Sequence, residues 1–409
     1  MLLSKTGEEQ YVIAEKRKTG GGELAALERW PDALGDLQAR VAGRFLRPEV
    51  RQRAYRYLAG LLRSVERKNG WQMAEEMGEQ GPQGAQRLLN AARWDADAVR
   101  DDLRRYVVEH LGDEKSGVLI VDETGFLKKG ENSVGVARQY TGTAGKKENC
   151  QIGVFLAYAS EKGAAFIDRA LYLPREEWAD EPARREEAQV PEEVKFATKG
   201  ELAKRMLRRA FEAGVPAQWV VADTVYGTAR GLRGWLEEER RSYVLAVPET
   251  QGIYHAGRQR QARALAKRLP EEVWVRASAG AGSKGERLYD WACVSLPDPD
   301  TQKAERWLLL RRKIDDPSEL AYYLAYGPKG TPANELIQIA GRRWTIEDCF
   351  EAAKGEVGLD EYEVRKWNAW HRHLTLCMLA HAYLAVLRSA AHDDDVGGPT
   401  VKRGIVSSS

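Results

Sequence analysis

Cysteine is scarce in this chain of 409 residues. The four cysteines are dispersed and include no C-x-x-C pair; they are Cys150, Cys293, Cys349 and Cys377. This pattern indicates neither a zinc site nor a disulfide framework and is typical of a reducing cytosol. No apolar stretch predicts a membrane span, and the N-terminus lacks the basic-then-apolar form of a signal peptide. We therefore expect a soluble, cytoplasmic protein.

The chain also has little net charge, because 63 basic residues stand against 61 acidic ones. A nearly neutral protein can still bind DNA when its charge is segregated along the chain. Between Arg40 and Lys68, many arginines are interrupted by only two acids, Glu49 and Glu66. Acidic residues concentrate instead in residues 176–193. The basic run is either a solvated helix face or a surface that contacts phosphates.

The N-terminal region, residues 1–110, is predicted to be helical. Residues 1–40 contain three consecutive glycines and predict a loosely held arm with some helix. Beyond them the apolar residues recur at helical spacing, with turn residues at 78–82. A helical region rich in arginine could read DNA ends, and its candidate contacts are Arg47, Arg51 and Arg56. A packing or dimerisation module is the alternative.

From Gly117 onward, short apolar runs bounded by polar residues predict β-strands. Early strands in antiparallel sequence, then a helix and a further strand, match the order of an α/β, ribonuclease H-like core. The predicted elements are strands at 118–122, 133–140, 151–158, 165–172 and 219–223, a helix at 199–213, a helix around 232–240 and a strand at 243–247. They make residues 111–248 the first part of that core.

The rest of the predicted core is delayed by a β-rich insertion subdomain at residues 249–330. Its short strands are rich in aromatic and aliphatic residues and are expected at 288–296, 307–312 and 320–326. Residues 331–391 form the second part of the core. Its first helix has Thr331 as a possible N-cap and Pro332 at the first helical position, and Gly355 and Gly358 favour its end. Residues 392–409 predict a disordered tail.

Three carboxylates carry most of the functional signal. Asp122 and Asp223 each follow an apolar run, so both are predicted at strand ends on one edge of a sheet, where α/β folds place their chemistry. A helix across that edge could bring Glu347 to both. A lone aspartate after a strand is often only an N-cap or turn residue, but three acids together need a cation. Oxygen ligands select Mg²⁺ or Mn²⁺, and a two-metal site performs in-line phosphoryl transfer.

Two cations accompany the glutamate. Arg343 precedes Glu347 by four residues and Lys354 follows it by seven, which puts all three on one helical stripe. This arrangement suits a DNA phosphate held beside a metal, whereas the alternative is a solvated ion pair. The stripe has a defined direction because the same helix predicts a packed face, made of Leu336, Ile339, Phe350, Ala353 and Val357.

Residues 365–373 interleave cations with aromatic side chains. Lys366 and Arg372 are candidate phosphate contacts, and the tryptophans either stack on bases or pack into the core helix that continues beyond them. His371 and His373 are two residues apart and diverge on a helix, so we do not expect them to share a metal.

Three stretches of the chain resemble the DDE transposases of bacterial insertion sequences. The branch with a Y-x2-R-x3-E-x6-K signature is similar, and most of all the insertion-sequence 701 family. The stretches are VDETGFLKKG at residues 121–130, ADTVYG at 222–227, and GRRWTIE at 341–347 with KGEVGLD at 354–360. The resemblance implies metal-ligand roles for Asp122, Asp223 and Glu347 and phosphate contacts by Arg343 and Lys354. The position of the signature tyrosine holds Ala340, so the role of that tyrosine does not carry over.

The resemblance implies a transposase that cuts the ends of its own element and joins the 3′-hydroxyls to target DNA. Two Mg²⁺ ions, for which Mn²⁺ can substitute, would be bridged by Asp122 and completed by Asp223 and Glu347. Its partners would be the terminal inverted repeats and target DNA, and paired ends favour a homodimer working on the nucleoid. Three alternatives are a domesticated, DNA-binding regulator, a ribonuclease H-like nuclease without strand joining, and a sugar-processing enzyme with paired carboxylates. The two flanking cations argue against the last.

Overall fold

The chain is organised around a large mixed β-sheet. The structure is a computed structural model that describes residues 32–282, 285–296 and 304–396. The strands within these residues are β1 (Val118–Leu127), β2 (Ala137–Thr141), β3 (Lys146–Ser160), β4 (Gly163–Tyr172), β5 (Trp219–Ala222), β6 (Ser242–Val247), β7 (Gly252–His255), β8 (Arg258–Gln261), β9 (Val275–Gly282), β10 (Gly285–Leu296), β11 (Ala304–Arg312) and β12 (Leu320–Pro328).

Helices cover the sheet and form most of the N-terminal region. They are α1 (residues 32–41), α2 (Pro48–Leu62), α3 (Gly70–Glu76), α4 (Gln83–Asn90), α5 (Ala96–Leu111), α6 (Pro182–Glu187), α7 (Lys199–Glu212), α8 (Thr224–Gly227), α9 (Arg230–Glu238), α10 (Ala262–Ala266), α11 (Ala333–Gly341), α12 (Thr345–Val357) and α13 (Trp367–Val396). Short 3₁₀ turns lie at Ala42–Arg44, Glu271–Val273 and Arg342–Trp344, and a π-helical turn at Arg175–Ala179.

Five strands, in the order β4-β3-β1-β5-β6, form the centre of the sheet. The pairings β1–β3 and β3–β4 are antiparallel, whereas β1–β5 and β5–β6 are parallel. Helix α7 connects β4 to β5, and α9 connects β5 to β6. This mixed arrangement fits the ribonuclease H-like core that the sequence predicts.

Four of the inserted strands, β9 to β12, do not form a sheet of their own. β12 pairs with β6 from Tyr322↔Val247 to Tyr326↔Tyr243, and β11, β10 and β9 follow in order, so the insertion extends the core sheet to ten strands. Only the hairpin β7–β8 is a separate small sheet within the described residues. The alternating apolar pattern predicts these strands but does not specify the edge on which they pair. The division of the chain at residues 249–330 stays a prediction, and the structure adds that most strands of the insertion continue the core sheet.

The N-terminal helices pack directly on the core. Helix α13 contacts α2, α4 and α5, and α5 lies against β4. The polar contacts across this interface include a buried one in which Tyr57 Oη lies 2.8 Å from His373 Nδ1. Residues 1–31 of the predicted arm and residues 397–409 of the predicted tail lie outside the described residues, and α13 runs to Val396, past the boundary expected at residue 391.

Helix α13 is apolar enough to resemble a membrane span. Its segment Trp367–His392 has a mean hydropathy of 1.4 over an 18-residue window, and 61% of that window is buried inside the protein. The sequence-based expectation of no such stretch was therefore too strong. Because the helix packs against β4, α5 and α12, it is a core helix and gives no evidence of a membrane segment.

Arg372 on this helix binds carbonyl groups inside the protein, which opposes the sequence-based prediction that it contacts DNA phosphates. Its side chain is buried, and its guanidinium donates to the carbonyl oxygens of Leu89 at 2.9 Å and Trp94 at 3.0 Å. The guanidinium also stacks over the Trp94 ring. Arg372 therefore ties α13 to the α4–α5 connection, whereas Lys366 is partly exposed and stays a candidate.

We expect Arg372→Ala to lower the free energy of unfolding by about 2–4 kcal/mol, because two buried carbonyl groups lose their donor. Lys366→Ala is the matched control and should change stability by no more than about 0.5 kcal/mol. Urea unfolding followed by circular dichroism measures both. Equal stability of the two variants would mean that Arg372 makes no buried contact and is again a candidate for contacting DNA phosphates.

Candidate active site

Parallel pairing brings the two aspartates together. β1 and β5 are in register from Val118↔Trp219 to Val121↔Ala222, so Asp122 and Asp223 come next on adjacent strands. Asp223 ends β5 as predicted, and its Oδ1 accepts a hydrogen bond from the Val225 backbone N–H at 2.9 Å as the N-cap of α8. Asp122 does not end its strand, because β3 continues to pair with β1 as far as Leu127.

A third carboxylate joins them, and it is not the predicted one. Asp122, Glu123 and Asp223 each offer an oxygen, and these atoms lie within 4.8 Å of one another. Among the described residues, no other cluster of acidic, histidine or cysteine side chains could hold a metal ion. We call these three residues the acid cluster. Sequence reasoning passed over Glu123 because consecutive strand residues point to opposite faces, although its place beside Asp122 was a signal.

The acid cluster is electrostatically strained without a cation. Burial, and then the charge of Asp223, raise the pKa of Asp122 to about 7. Burial, and then the charge of Glu123, also raise the pKa of Asp223. Carboxyl groups whose charged forms are disfavoured by burial and mutual repulsion are typical of functional sites. A bound cation would relieve both effects.

Glu123 already has two donors. Lys199 Nζ, on the first residue of α7, lies 2.6 Å from Oε1, and the buried Tyr226 hydroxyl donates to Oε2 at 2.5 Å. A capping box between Thr198 and Glu201 fixes the start of α7 and thereby the position of Lys199. Glu123 is therefore neutralised by a lysine and oriented by a tyrosine from the 222–227 stretch.

Glu347 lies beside the acid cluster and is connected to it by Arg343. Arg343 Nη2 donates to Glu347 Oε1 at 2.7 Å, and Arg343 Nη1 lies 3.7 Å from Asp122 Oδ2. Half of the Glu347 side chain is exposed. Burial opposes the charge of Arg343, but Glu347 and Asp122 together raise its pKa. Arg343 thus separates the two carboxylates that the sequence predicts to share a metal.

Lys354 also points toward β1. Its Nζ donates to Thr124 Oγ1 at 2.9 Å, and Thr124 is two residues beyond Asp122 on the same face of the strand. Burial lowers the pKa of Lys354. Arg343 precedes Glu347 and Lys354 follows it along the chain, and both cationic side chains reach β1. This is the direction expected if the three residues share one helical stripe.

The predicted glutamate helix is two helices. α11 ends at Gly341, the 3₁₀ turn Arg342–Trp344 follows, and α12 begins at Thr345. Gly341 is needed because a Cβ there would stand 1.9 Å from the Ala279 carbonyl oxygen on β9. At the other end Gly358, with φ of 64°, caps α12 in the left-handed conformation, as predicted.

Aromatic packing holds α12 against the sheet. The Phe350 ring centroid lies 5.3 Å from that of Phe155 on β3, the strand beside Asp122. The predicted packed face is confirmed for Leu336, Phe350, Ala353 and Val357, which are buried, and Ile339 is partly buried. Thr331 donates to the Pro328 carbonyl rather than capping a helix. Ala340, at the position of the signature tyrosine, is buried in the core.

The N-terminal arginines divide into free and paired residues. Arg47 and Arg51 lie one helical turn apart, are at least partly exposed, and form no ion pair within the described residues. Arg56 lies nine residues after Arg47, on the opposite side of the helix, and pairs with Glu79 at 3.4 Å. Of the three candidates, Arg47 and Arg51 form the pair best suited to a phosphate.

Comparisons with known proteins show the family of the chain. A family model described as DDE superfamily endonuclease matches residues 40–273, more than half of the chain, and a second, described as Transposase DDE domain, matches residues 196–383. The probable transposase for insertion sequence element IS701 of Microchaete diplosiphon is 26% identical over 331 residues, covering 78% of each protein.

The solved structure of the NurA nuclease from Sulfolobus solfataricus covers 60% of this chain and 81% of that one, at 10% identity. Its TM-score of 0.26 is too low to support an argument about the fold. The family models and the transposase relative decide the assignment. This chain belongs to the DDE transposases, and it is similar to a transposase of insertion sequence 701.

Proposed function

We propose that this transposase cuts the ends of its own insertion sequence and joins the freed 3′-hydroxyls to target DNA. The observation that carries the proposal is Asp122 beside Asp223 on parallel strands, with Arg343 and Lys354 reaching the same edge. Oxygens that need a cation, next to cations that can hold a phosphate, suit phosphoryl transfer. A sugar-processing site has no need of these two cations.

The donor set fits a hard divalent cation, because the acid cluster supplies only oxygen. In the proposed site Asp122 and Asp223 hold the metal, which is Mg²⁺ with Mn²⁺ as a substitute. When bound, a pair of such ions assists the attacking and the leaving oxygen of phosphodiester exchange. Glu123 stays with Lys199 and Tyr226 and fixes the backbone beside Asp122.

Arg343 explains how Glu347 could join the metal ligands. Its guanidinium group contacts two carboxylates, those of Glu347 and Asp122. A DNA phosphate offers the same guanidinium a bidentate partner. Transfer of Arg343 to that phosphate leaves Glu347 without a donor and free to turn toward Asp122 and Asp223. In this proposal, DNA binding completes the metal site, and Lys354 holds the scissile phosphate on the Thr124 side.

The DNA ends are held, in this proposal, by phosphate contacts from Arg47 and Arg51, with Lys366 as a further contact. Two ends have to be processed together, so a homodimer on paired ends is the expected assembly, acting in the cytoplasm on the nucleoid. A domesticated regulator is disfavoured, since a protein without catalysis has no physical need for mutually repelling carboxylates. An assay that detects both cut and joined strands distinguishes this transposase from a nuclease that cuts without joining.

The proposal is tested with labelled element ends, target plasmid and Mg²⁺, resolved on a denaturing gel. Wild type should cut and join. Asp122→Asn, Asp223→Asn and Glu347→Gln should each reduce cutting by at least about a hundredfold, because a lost ligand removes several kcal/mol of transition-state stabilisation, while end binding is retained. Glu351→Gln, one turn beyond Glu347 and exposed, is the control and should cut normally.

A residue whose substitution leaves cutting within about tenfold of wild type is not a metal ligand, by the same transition-state argument. Cutting without any joined product would make the protein a nuclease. Full activity in the presence of a chelator would contradict the metal proposal altogether.

Salt titrations separate the two kinds of DNA contact. We expect the double variant Arg47→Ala, Arg51→Ala to flatten the dependence of end binding on salt by about two phosphate contacts. Arg56→Ala should leave the slope nearly unchanged, because Arg56 is paired with Glu79 on the other side of α2. Lys354→Ala should slow single-turnover cutting more than it weakens binding. An unchanged slope in the double variant would assign α2 to packing or dimerisation.

Stability of the metal-free protein depends on Asp122. Its pKa of about 7 in the folded state exceeds the ordinary value for an unfolded chain. The folded state therefore loses stability as the pH rises from about 4 to about 7, since the unfolded chain ionises more readily. Asp122→Asn should stabilise the metal-free protein at pH 8 by about 1–3 kcal/mol, with much less gain at pH 4.

Thermal unfolding in EDTA at the two pH values measures this difference. The exposed substitution Asp315→Asn is the control and should show no gain at either pH. Mg²⁺ should stabilise wild type and have little effect on Asp122→Asn. A variant that is less stable than wild type at pH 8 would mean that Asp122 is not strained in the metal-free state.

A further inference from the structure

A basic cavity lies at the β4 edge of the sheet. A cavity of about 470 Å³ opens there between the start of α5, one side of α7 and the start of α13, with residues 191–197 closing one wall. None of Asp122, Asp223, Arg343, Glu347 or Lys354 lines it. The cavity therefore belongs to neither the acid cluster nor the glutamate helix.

Cationic side chains outnumber carboxylates in the wall of this cavity. The cations are Arg100, Arg169, Lys195, Arg205, Arg209 and Arg372, and the carboxylates are Asp95, Asp97 and Glu193. Lys195 and Arg205 are exposed, and neither forms an ion pair in the part of the chain that the structure describes. Asp95 is already engaged as the N-cap of α5. The wall is thus electropositive.

Arg169 is the unusual member of this wall. Only 2% of the residue is exposed, and its Nη1 donates to Asp97 Oδ1 at 2.7 Å. Its Nε and Nη2 are buried and have no hydrogen-bond partner among the described residues. Buried donors without partners are rare, because each one loses its hydrogen bonds to water without compensation. An anion is the ligand that such a group would accept.

The buried arginines of the wall have acidic partners, so the excess charge lies at the rim of the cavity. Asp168, fully buried beside Arg169, receives Arg100 Nη1 at 2.7 Å and Arg209 Nε at 2.9 Å, so one carboxylate already serves two arginines. Burial, and then the charge of Arg169, hold the pKa of His371 down at about 3, so this histidine is neutral. Arg100 also pairs with Asp101 at 2.8 Å and Arg169 with Asp97 at 2.7 Å, so the surplus positive charge of the cavity comes from Lys195 and Arg205 at its rim.

We propose that this cavity binds a small phosphate-bearing anion, held by Arg169 from below and by Lys195 and Arg205 from the rim. Planar guanidinium forks match the oxygens of phosphate groups, and a lysine adds a mobile point charge. The volume lies within the usual range for small-ligand sites. Free pyrophosphate and the terminal phosphate of a DNA strand offer the same chemistry. The site is independent of the proposed strand transfer, because its residues are separate.

Isothermal titration calorimetry with pyrophosphate, in EDTA and at constant ionic strength, tests the proposal. Wild type should bind with a dissociation constant below about 1 mM, and the exposed double variant Lys195→Ala, Arg205→Ala should bind at least about tenfold more weakly. Arg208→Ala, also on α7 but outside the cavity, is the matched control and should bind like wild type. Asp122→Asn should also bind normally, which keeps this test separate from that of catalysis.

The proposal is overturned if wild type gives no binding heat at millimolar pyrophosphate, if the double variant binds as wild type does, or if Arg208→Ala weakens binding equally. Competition then identifies the source of the anion. Displacement of pyrophosphate by a 5′-phosphorylated oligonucleotide, and not by its unphosphorylated form, supports a DNA end as the ligand. No displacement by either one supports a free anion in the same site.

Discussion

The parallel pairing of β1 with β5 is the constraint on which the site depends. It sets Asp122 and Asp223 side by side, in a place where burial and mutual repulsion disfavour their charged forms. Both strands are buried around these positions and cannot shift without disrupting the core. The fold therefore fixes two carboxylates against their electrostatic preference, and a cation is the simplest species that turns this arrangement into a stable one.

The surrounding residues compensate this charge while no metal is bound. Arg343 stands against Asp122 and Glu347, and Lys199 neutralises Glu123. Each of these ion pairs can be exchanged for a phosphate contact or retained. We infer that Arg343 is exchanged because its partner Glu347 is half-exposed, whereas Glu123 also has the buried hydroxyl of Tyr226 and stays in place. In this proposal, the site combines a fixed part on the sheet with an adjustable part on α12.

The sequence predicts the part of the site on the sheet more readily than the part on α12. Short apolar runs predicted β1 and β5 and hence the meeting of Asp122 and Asp223. Glu123 was missed because alternation along a strand places it on the face opposite to that of its neighbour Asp122. The position of Arg343 between Glu347 and Asp122 was missed because helical spacing predicts that side chains share a stripe but not which of them make contact. Arg372 was misassigned because a segment that alternates cations with aromatic residues is compatible both with a nucleic-acid-binding groove and with a packed core helix.

Crystals of the protein with an element end and Mn²⁺, measured for anomalous scattering, test the central claim most directly. The account predicts an anomalous peak in contact with Asp122 and Asp223, with Glu347 released from Arg343 to join them and Glu123 still bonded to Tyr226. A fully occupied DNA complex with no peak between the two aspartates, or with manganese bound elsewhere in the chain, would contradict it.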